Sequence, residues 1–218
     1  MATSVFLFFF CCKRRLMMSK KQNDLTIKRF VSAAGKNQYL LLSAGEAAVI
    51  DVAEASGEIG EILDGMGIGL KYIFVTHAHK SNLQALPELN KTYGGNFCLH
   101  EYEYELLKES DSRLEPGRFL KDRELLQLGE VPIEVLLTAG HTKGSVCYYV
   151  KQARALFSGS TMLKNGYGKI WGPKSMSLML FSLKRLSYNI PPETTVYTGS
   201  GELTRMGDEG WIQCLRSA

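Results

Sequence analysis

Long hydrophobic runs, cysteine pairs and repeats are all missing from this sequence, and each absence excludes a class of protein. The longest apolar run, VFLFFFCC at Val5–Cys12, is much shorter than the roughly 20 residues that span a bilayer. The five cysteines form no CxxC pair and no regular framework, so we expect reduced thiols in a cytoplasmic protein. Because there is also no internal repeat and no low-complexity tract, 218 residues predict one globular domain with a substantial core.

The charge balance gives no support for a nucleic-acid-binding face. The net charge is +4, but five basic residues lie among the first 21 positions, which contain no acid: Lys13, Arg14, Arg15, Lys20 and Lys21. Without these five, the remaining residues carry a net charge of −1. A near-neutral domain lacks the positive field that attracts polyanions, so we expect a small-molecule substrate or ligand and no nucleic-acid partner.

Residues 1–21 are interpreted as an extension, disordered or not translated, that precedes a folded domain at 22–218. Cys11 and Cys12 beside KRR could form an acylated, polybasic membrane anchor, and membrane contact is expected only if the extension is part of the natural protein. In the interpretation that we favour, translation begins at Met17 or Met18. A signal peptide is disfavoured because the basic residues follow the apolar run instead of preceding it.

From Leu25 onward, strand-like and helix-like segments alternate in both halves of the chain. Apolar, β-rich runs predict strands at 25–31, 38–42, 47–51, 71–76, 96–99, 124–128, 133–137, 145–150, 155–158 and 195–198. Apolar residues with helical spacing predict helices at 55–66, 81–93, 101–108 and 177–188, with Ser81 as the N-cap of the second. This alternation favours a layered α/β (α+β) fold in which each half contributes a sheet with helices on its outer side.

The four histidines, His77, His79, His100 and His141, provide the main chemical signal. His77 and His79 form an HxH pattern directly after a predicted strand, and residues two apart in an extended segment can point to the same side and chelate a metal ion. This pattern alone is weak evidence. His141 strengthens it, because it lies in a glycine-flanked turn between two predicted strands, where nothing structural requires an imidazole.

Five segments of the chain follow a known family pattern in the right order. They are AAVIDVA with Asp51, THAHKSN at 76–82, TAGHTKGS at 138–145, LFSGSTML at 156–163 and SLKRLSYNIPPETTVYTGSGELT at 182–204. These segments resemble AxLIDxG, THxHxDH, TPGHTPGS, LFSGDTLF and SLxRLxxLPxxTxVYPGHGxxT of the metallo-β-lactamase superfamily, in its hydroxyacylglutathione hydrolase (glyoxalase II-like) branch. The resemblance runs from about residue 25 to residue 209 and implies a four-layer αββα sandwich with the HAH and GHT loops at one edge.

The chain departs from this family at four of the seven ligand positions that the resemblance implies for two metal ions. The first site keeps its three histidines as His77, His79 and His141. The second site and the bridging position hold poor zinc ligands instead: Ser81, Asn82, Ser160 and Ser200. Three neutral imidazoles are a complete protein ligand set for catalytic zinc, with water in the fourth place, so we expect one zinc ion at most.

These substitutions lead to two hypotheses of different kinds. In the first, the protein is a degenerate single-zinc hydrolase of a small ester or thioester, impaired because position 81 lacks the aspartate that orients the attacking water. In the second, it is a catalytically inactive pseudoenzyme that uses the pocket for ligand binding or scaffolding. Iron-dependent sulfur dioxygenase chemistry is disfavoured, since the resemblance implies a ligand aspartate where Ser160 stands.

Other conspicuous residues have simpler interpretations. We expect His100 to be a hydrogen-bonded structural histidine and Asp51 to anchor a loop near the site. Trp171 and the methionines at positions 176 and 179 are typical of core or pocket wall. One further set is interpreted as solvated loop residues rather than an anion site: Lys164, Tyr167 and Lys169.

Overall fold

Twelve strands form two six-stranded sheets in the computed structural model, which describes residues 25–54 and 57–216. The predictions for residues 1–21 therefore lie outside the described residues. The first sheet has the order β1 to β6: Thr26–Val31, Asn37–Ser43, Glu46–Ile50, Leu70–Phe74, Asn96–His100 and Arg118–Leu120. The second sheet has the order β12 to β7; in chain order its strands β7 to β12 are Leu125–Leu128, Val131–Leu137, Val146–Val150, Ala155–Gly159, Thr195–Thr198 and Thr204–Arg205.

Strand direction follows from the connections between the strands. β1, β2 and β3 are antiparallel neighbours, whereas β3 to β6 run parallel. In the second sheet β7 to β10 are antiparallel, β10 and β11 are parallel, and β12 closes the edge. Parallel pairs need crossover connections. Helices provide them here: α1 Gly57–Met66, α2 Leu86–Tyr93, α3 Tyr104–Ser110 and α4 Pro173–Asn189, followed by α5 at Gly210–Cys214.

Three apolar layers stabilise the structure. Because side chains alternate along a strand, neighbouring residues of one strand belong to different layers. In β2, Tyr39 and Leu41 pack between the two sheets, while Leu40 packs in the layer that also contains Leu63 of α1. Met179 and other residues of α4 cover the opposite sheet in a third layer. The order helix, sheet, sheet, helix confirms the predicted αββα sandwich.

One predicted helix is wrong in its first half. We expected a continuous helix at 81–93 capped by Ser81, but a 3-10 turn occupies Lys80–Asn82 and α2 begins only at Leu86. Pro87 explains the late start, because a residue without an N–H is tolerated only in the first turn of a helix. The helix expected at 101–108 likewise begins as a 3-10 turn, at Glu101–Glu103, before α3.

The described residues also bear on the cysteine and membrane expectations. Cys98 and Cys147 are buried free thiols, and Cys214 is an exposed one. None of the helices at 25–54 and 57–216 is long and apolar enough to cross a membrane.

Candidate metal centre

Two loops at one edge of the sandwich bring the predicted histidines together. His77 and His79 follow β4, and His141 lies in the turn between β8 and β9. The Val146 N–H donates to the Thr76 carbonyl oxygen at 2.9 Å, which ties the start of β9 to the end of β4. The HAH and GHT loops therefore meet, as expected.

The spacing of the three imidazoles fits one metal ion. Their ligating atoms all lie within 4.8 Å of one another. His141 Nε2 and His79 Nδ1 are 3.2 Å apart, close to the roughly 3.3 Å that separates two nitrogens bound tetrahedrally to zinc at about 2.05 Å each. The three nitrogen donors, and the spacing of the His79–His141 pair, are thus compatible with zinc.

A hydrogen bond from its Nδ1 orients the His141 ring. His141 Nδ1 lies 2.9 Å from the carbonyl oxygen of Lys169. Because a carbonyl oxygen only accepts, the proton of the neutral ring is on Nδ1, and Nε2 presents its lone pair toward His79. Ligand imidazoles of zinc proteins are held in the same way.

A buried hydrogen-bond chain orients His77. Asp51 accepts the N–H and the hydroxyl of Thr76 at 2.8 Å each, and Thr76 Oγ1 lies 3.0 Å from His77 Nδ1. Since the hydroxyl proton points to Asp51, Oγ1 accepts from His77, whose Nε2 carries the lone pair and is the candidate ligand atom. Burial raises the pKa of Asp51 to about 7, against the two bonds from Thr76. The loop-anchoring role expected for Asp51 is confirmed.

Burial also sets the protonation of the three ligand candidates. It lowers the pKa of His77 well below its ordinary value, with the neighbouring His141 and His79 adding to the effect. Burial likewise lowers the pKa of His79 and of His141. Neutral imidazole is the form that binds zinc, so no ring has to lose a positive charge at neutral pH before a metal ion binds.

The four substituted positions lie around the same centre. The Asn82 amide nitrogen is 3.1 Å and 3.2 Å from the two ring nitrogens of His77, and Ser81 is adjacent to Asn82. Ser160 and Ser200 line the cleft that contains the histidines. In the described part of the chain, the three histidines are the only group of three or more His, Cys, Asp or Glu side chains spaced to hold a metal ion.

Sequence reasoning missed Glu103, which joins the two ligand loops. Its carboxylate, in a side chain only 1% exposed, accepts the N–H of Ala78 and the N–H of Gly144 at 2.7 Å each. Ala78 lies between the paired histidines and Gly144 follows His141 by three positions, so one carboxylate joins both ligand loops. The signal was hidden because Glu103 stands in an alternating acidic stretch, EYEYE, which is typical of an exposed helix.

The histidines open into a cleft of about 420 Å³. Trp171 forms an exposed wall, with its ring 6.1 Å from that of His79 and the Lys169 ammonium 4.0 Å from its centroid. The cleft shares His79, His141 and Trp171 with a second one of about 400 Å³ that extends along α3. The centre is thus accessible to a small molecule.

The residues given simpler interpretations largely behave as expected. His100 Nδ1 accepts the Tyr102 N–H at 3.2 Å, which confirms a structural role. Met179 is fully buried in the core, and Lys164 pairs with Glu202. Among the residues interpreted as solvated loop residues, which are Lys164, Tyr167 and Lys169, Lys169 lines the cleft.

Comparison with known proteins identifies the family. The profile described as the metallo-beta-lactamase superfamily matches residues 83–206, more than half of the chain. The matched range contains His141 but begins after His77 and His79. The protein belongs to the metallo-beta-lactamase superfamily.

Curated relatives support this assignment. The hydroxyacylglutathione hydrolase of Bartonella quintana (strain Toulouse) is 35% identical over 156 residues, which are 72% of this chain and 58% of the relative. The probable metallo-hydrolase YqgX of Bacillus subtilis (strain 168) is 28% identical over 185 residues, which cover 77% of this chain and 86% of the relative. The chain thus spans little more than half the length of the Bartonella enzyme.

Solved structures agree on the fold. The crystal structure of the BLEG-1 B3 metallo-beta-lactamase has a TM-score of 0.74 at 24% identity, over 86% of this chain and 100% of that one. The structure of TTHA1623 in a di-iron-bound form has a TM-score of 0.73 at 25% identity, over 84% of this chain and 96% of that one.

Proposed function

We propose that this protein is a single-zinc hydrolase of small esters or thioesters with slow turnover. The observation that carries the proposal is the 3.2 Å approach of His141 Nε2 to His79 Nδ1 within a set of three converging imidazoles. Three imidazoles leave one tetrahedral position for water, which is the composition of a catalytic zinc site. The thioester class is inferred from the relatives named hydroxyacylglutathione hydrolase.

The expected weakness of catalysis follows from the groups around the ligands. Bound zinc lowers the pKa of its water and polarises a substrate carbonyl. The residues lining the cleft in the described part of the chain include no carboxylate, and both oxygens of Glu103 accept backbone N–H groups. Asn82 and Ser160 can donate hydrogen bonds but cannot act as bases at neutral pH. Loss of one positioning or oxyanion-stabilising group costs about a hundred- to a thousandfold in rate.

Metal stoichiometry tests the site directly. Elemental analysis of protein loaded with zinc and then desalted should give one equivalent per chain. His141→Ala should lose this zinc because two imidazoles remain, whereas Ser200→Ala should keep it. Two tightly held equivalents, or none, would contradict the proposal.

Turnover tests the chemistry. Zinc-loaded protein should hydrolyse an S-acyl glutathione at less than about 0.1 per second, a hundredfold below the median enzyme rate of roughly 10 per second. His141→Ala, purified in the same way, is the control for a contaminating hydrolase. A rate near 10 per second would contradict the slow-turnover part. One bound zinc with no turnover of any ester or thioester would instead favour an inactive ligand-binding protein.

A further inference from the structure

The charged side chains that line the cleft of about 420 Å³ are lysines. Besides the three histidines, the lining of this cleft includes the ammonium-bearing Lys36 and Lys169 and the hydroxyls of Ser160 and Ser200, and no carboxylate from the described residues. Three acidic side chains near the histidines line the second cleft instead: Glu103, Glu105 and Glu109. Since burial keeps the imidazoles neutral, the two lysines carry the formal charge of the first cleft. A concave surface with positive charge and low-dielectric walls concentrates anions.

The backbone of Lys36 is firmly held at this position. Lys36 directly precedes β2 and forms an antiparallel bridge with Ser200. Its N–H donates to Ser32 Oγ at 3.1 Å, and its carbonyl oxygen accepts the Ser32 N–H at 2.8 Å. The next residue, Asn37, is bonded through its N–H to the Gly199 carbonyl oxygen at 3.0 Å. The point from which the Lys36 side chain extends is therefore fixed relative to Ser200.

The Lys36 ammonium forms no ion pair with an acid among the described residues. Its charge does act on the buried Asp51: burial raises the pKa of that carboxyl, and the charge of Lys36 opposes the rise. Other lysines do pair with acids, as Lys71 does with Glu46 and Lys164 with Glu202. Lys36 is half-buried. Burial of the histidines is the largest cause of the lowered pKa values of His77, His79 and His141, and the charge of Lys36 is a further cause. A half-buried cation without a direct ion pair is available to an anionic ligand.

We propose that Lys36 is the fixed cation of an anion-binding site beside the three histidines, and that the ligand carries a carboxylate or phosphate group. The substrate is then an anionic ester or thioester, an inference that rests on the proposed function; the anion site itself needs no metal ion. Ser160 and Ser200 supply hydroxyl donors around the bound oxyanion. Lys169, whose ammonium lies over the Trp171 ring, adds charge at the rim.

Inorganic phosphate titrated into metal-free protein is the probe, with binding measured by calorimetry at low ionic strength. Lys36→Met should weaken binding at least tenfold, about 1.4 kcal/mol, because it removes the charge and keeps the apolar stem. Lys36→Arg should stay within about threefold of the native protein, since guanidinium also binds oxyanions. Lys164→Met removes an equal charge outside the cleft and should leave phosphate affinity unchanged.

The proposal would be overturned by no phosphate binding by the native protein at millimolar concentration, by equal affinity in Lys36→Met, or by an equal loss in Lys164→Met. Zinc titration of the same variants separates this question from the proposed function. Lys36→Met should still bind one zinc ion, and joint loss of zinc and phosphate would make Lys36 structural and overturn the proposal. Failure of the native protein to bind zinc would contradict the proposed function alone, because the phosphate measurement uses metal-free protein.

Discussion

Glu103→Gln tests whether one buried carboxylate holds the two ligand loops together. The substitution preserves shape but replaces one carboxylate oxygen with an NH₂ group. Both native oxygens accept backbone N–H groups, from Ala78 and from Gly144 at 2.7 Å. Glutamine can accept only one of them, so the other N–H faces a donor. Ala78 is also fixed from its other side, because Ser110 Oγ donates to its carbonyl oxygen at 2.7 Å.

The size of the effect follows from two opposing contributions. A buried N–H left without an acceptor costs about 1–3 kcal/mol, and the remaining hydrogen bond loses its charge assistance. Against this, burial raises the pKa of Glu103 and so makes the ionised carboxylate less favourable in the native state, a cost that glutamine does not have. We expect a net loss of about 2 kcal/mol in the free energy of unfolding, and a weaker zinc affinity because the loops of His79 and His141 are no longer joined.

Urea unfolding of the metal-free protein measures the stability, and competition with a chelator measures the zinc affinity. Glu105→Gln is the matched control: it changes the same functional group on α3, but the Glu105 side chain is 86% exposed and its ion pair with Lys143 is long, at 3.7 Å. We expect less than about 0.5 kcal/mol from the control. A Glu103→Gln protein as stable as the control would refute the loop-joining role, and unchanged zinc affinity would refute its link to the metal site.

Two further predictions concern packing and thiol chemistry. Gly159→Ala should lower the free energy of unfolding by about 3 kcal/mol, because φ is +51° and a Cβ would lie 2.5 Å from Thr76 Oγ1. It should also weaken zinc binding, since Thr76 belongs to the hydrogen-bond chain that orients His77. Thermal and urea denaturation measure the loss against Gly166→Ala, where no atom lies within 4 Å of the added Cβ. Equal stability of the two variants would contradict it. Burial raises the pKa of Cys98 to about 12 and of Cys147 to about 11, so at pH 8 fewer than about one thiol in a thousand is ionised. Iodoacetamide labelling mapped by mass spectrometry should modify Cys214 at least a hundredfold faster in native protein and all three equally in urea; similar native rates would show that the buried thiols are accessible.

The sandwich could be predicted from the sequence because its strands are strongly patterned. In β2, the consecutive apolar residues Tyr39 to Leu42 pack alternately into two different layers, so the strand contains an unbroken apolar run. The elements that were not predicted lack such a pattern. β6 has one buried residue among three and β12 has two residues in total, so each depends on its neighbouring strand and not on its own composition.

The sequence predicted only those residues of the candidate site whose type and position are chemically distinctive. Histidines after a strand and in a glycine-flanked turn stand out, and the structure brings them together. Glu103 and Lys36 do not stand out, because a glutamate among acids and a lysine in a turn are ordinary surface residues until tertiary structure buries one and directs the other into a cleft. Ser81 failed as a helix cap for the same reason: a local signal was overruled by Pro87 and by the turn that follows His79.

The contact between His79 and His141 requires either a proton or a cation between two ring nitrogens. Because His141 Nδ1 donates to the Lys169 carbonyl oxygen, His141 Nε2 can only accept. Two accepting nitrogens 3.2 Å apart repel, so either His79 Nδ1 carries a proton or a cation lies between them. A proton on His79 Nδ1 would satisfy this pair, and the Asn82 amide nitrogen already lies 3.2 Å from His77 Nε2. A zinc ion would instead take the lone pairs of all three rings together, and the nearby charge of Lys36 would oppose the binding of a second ion.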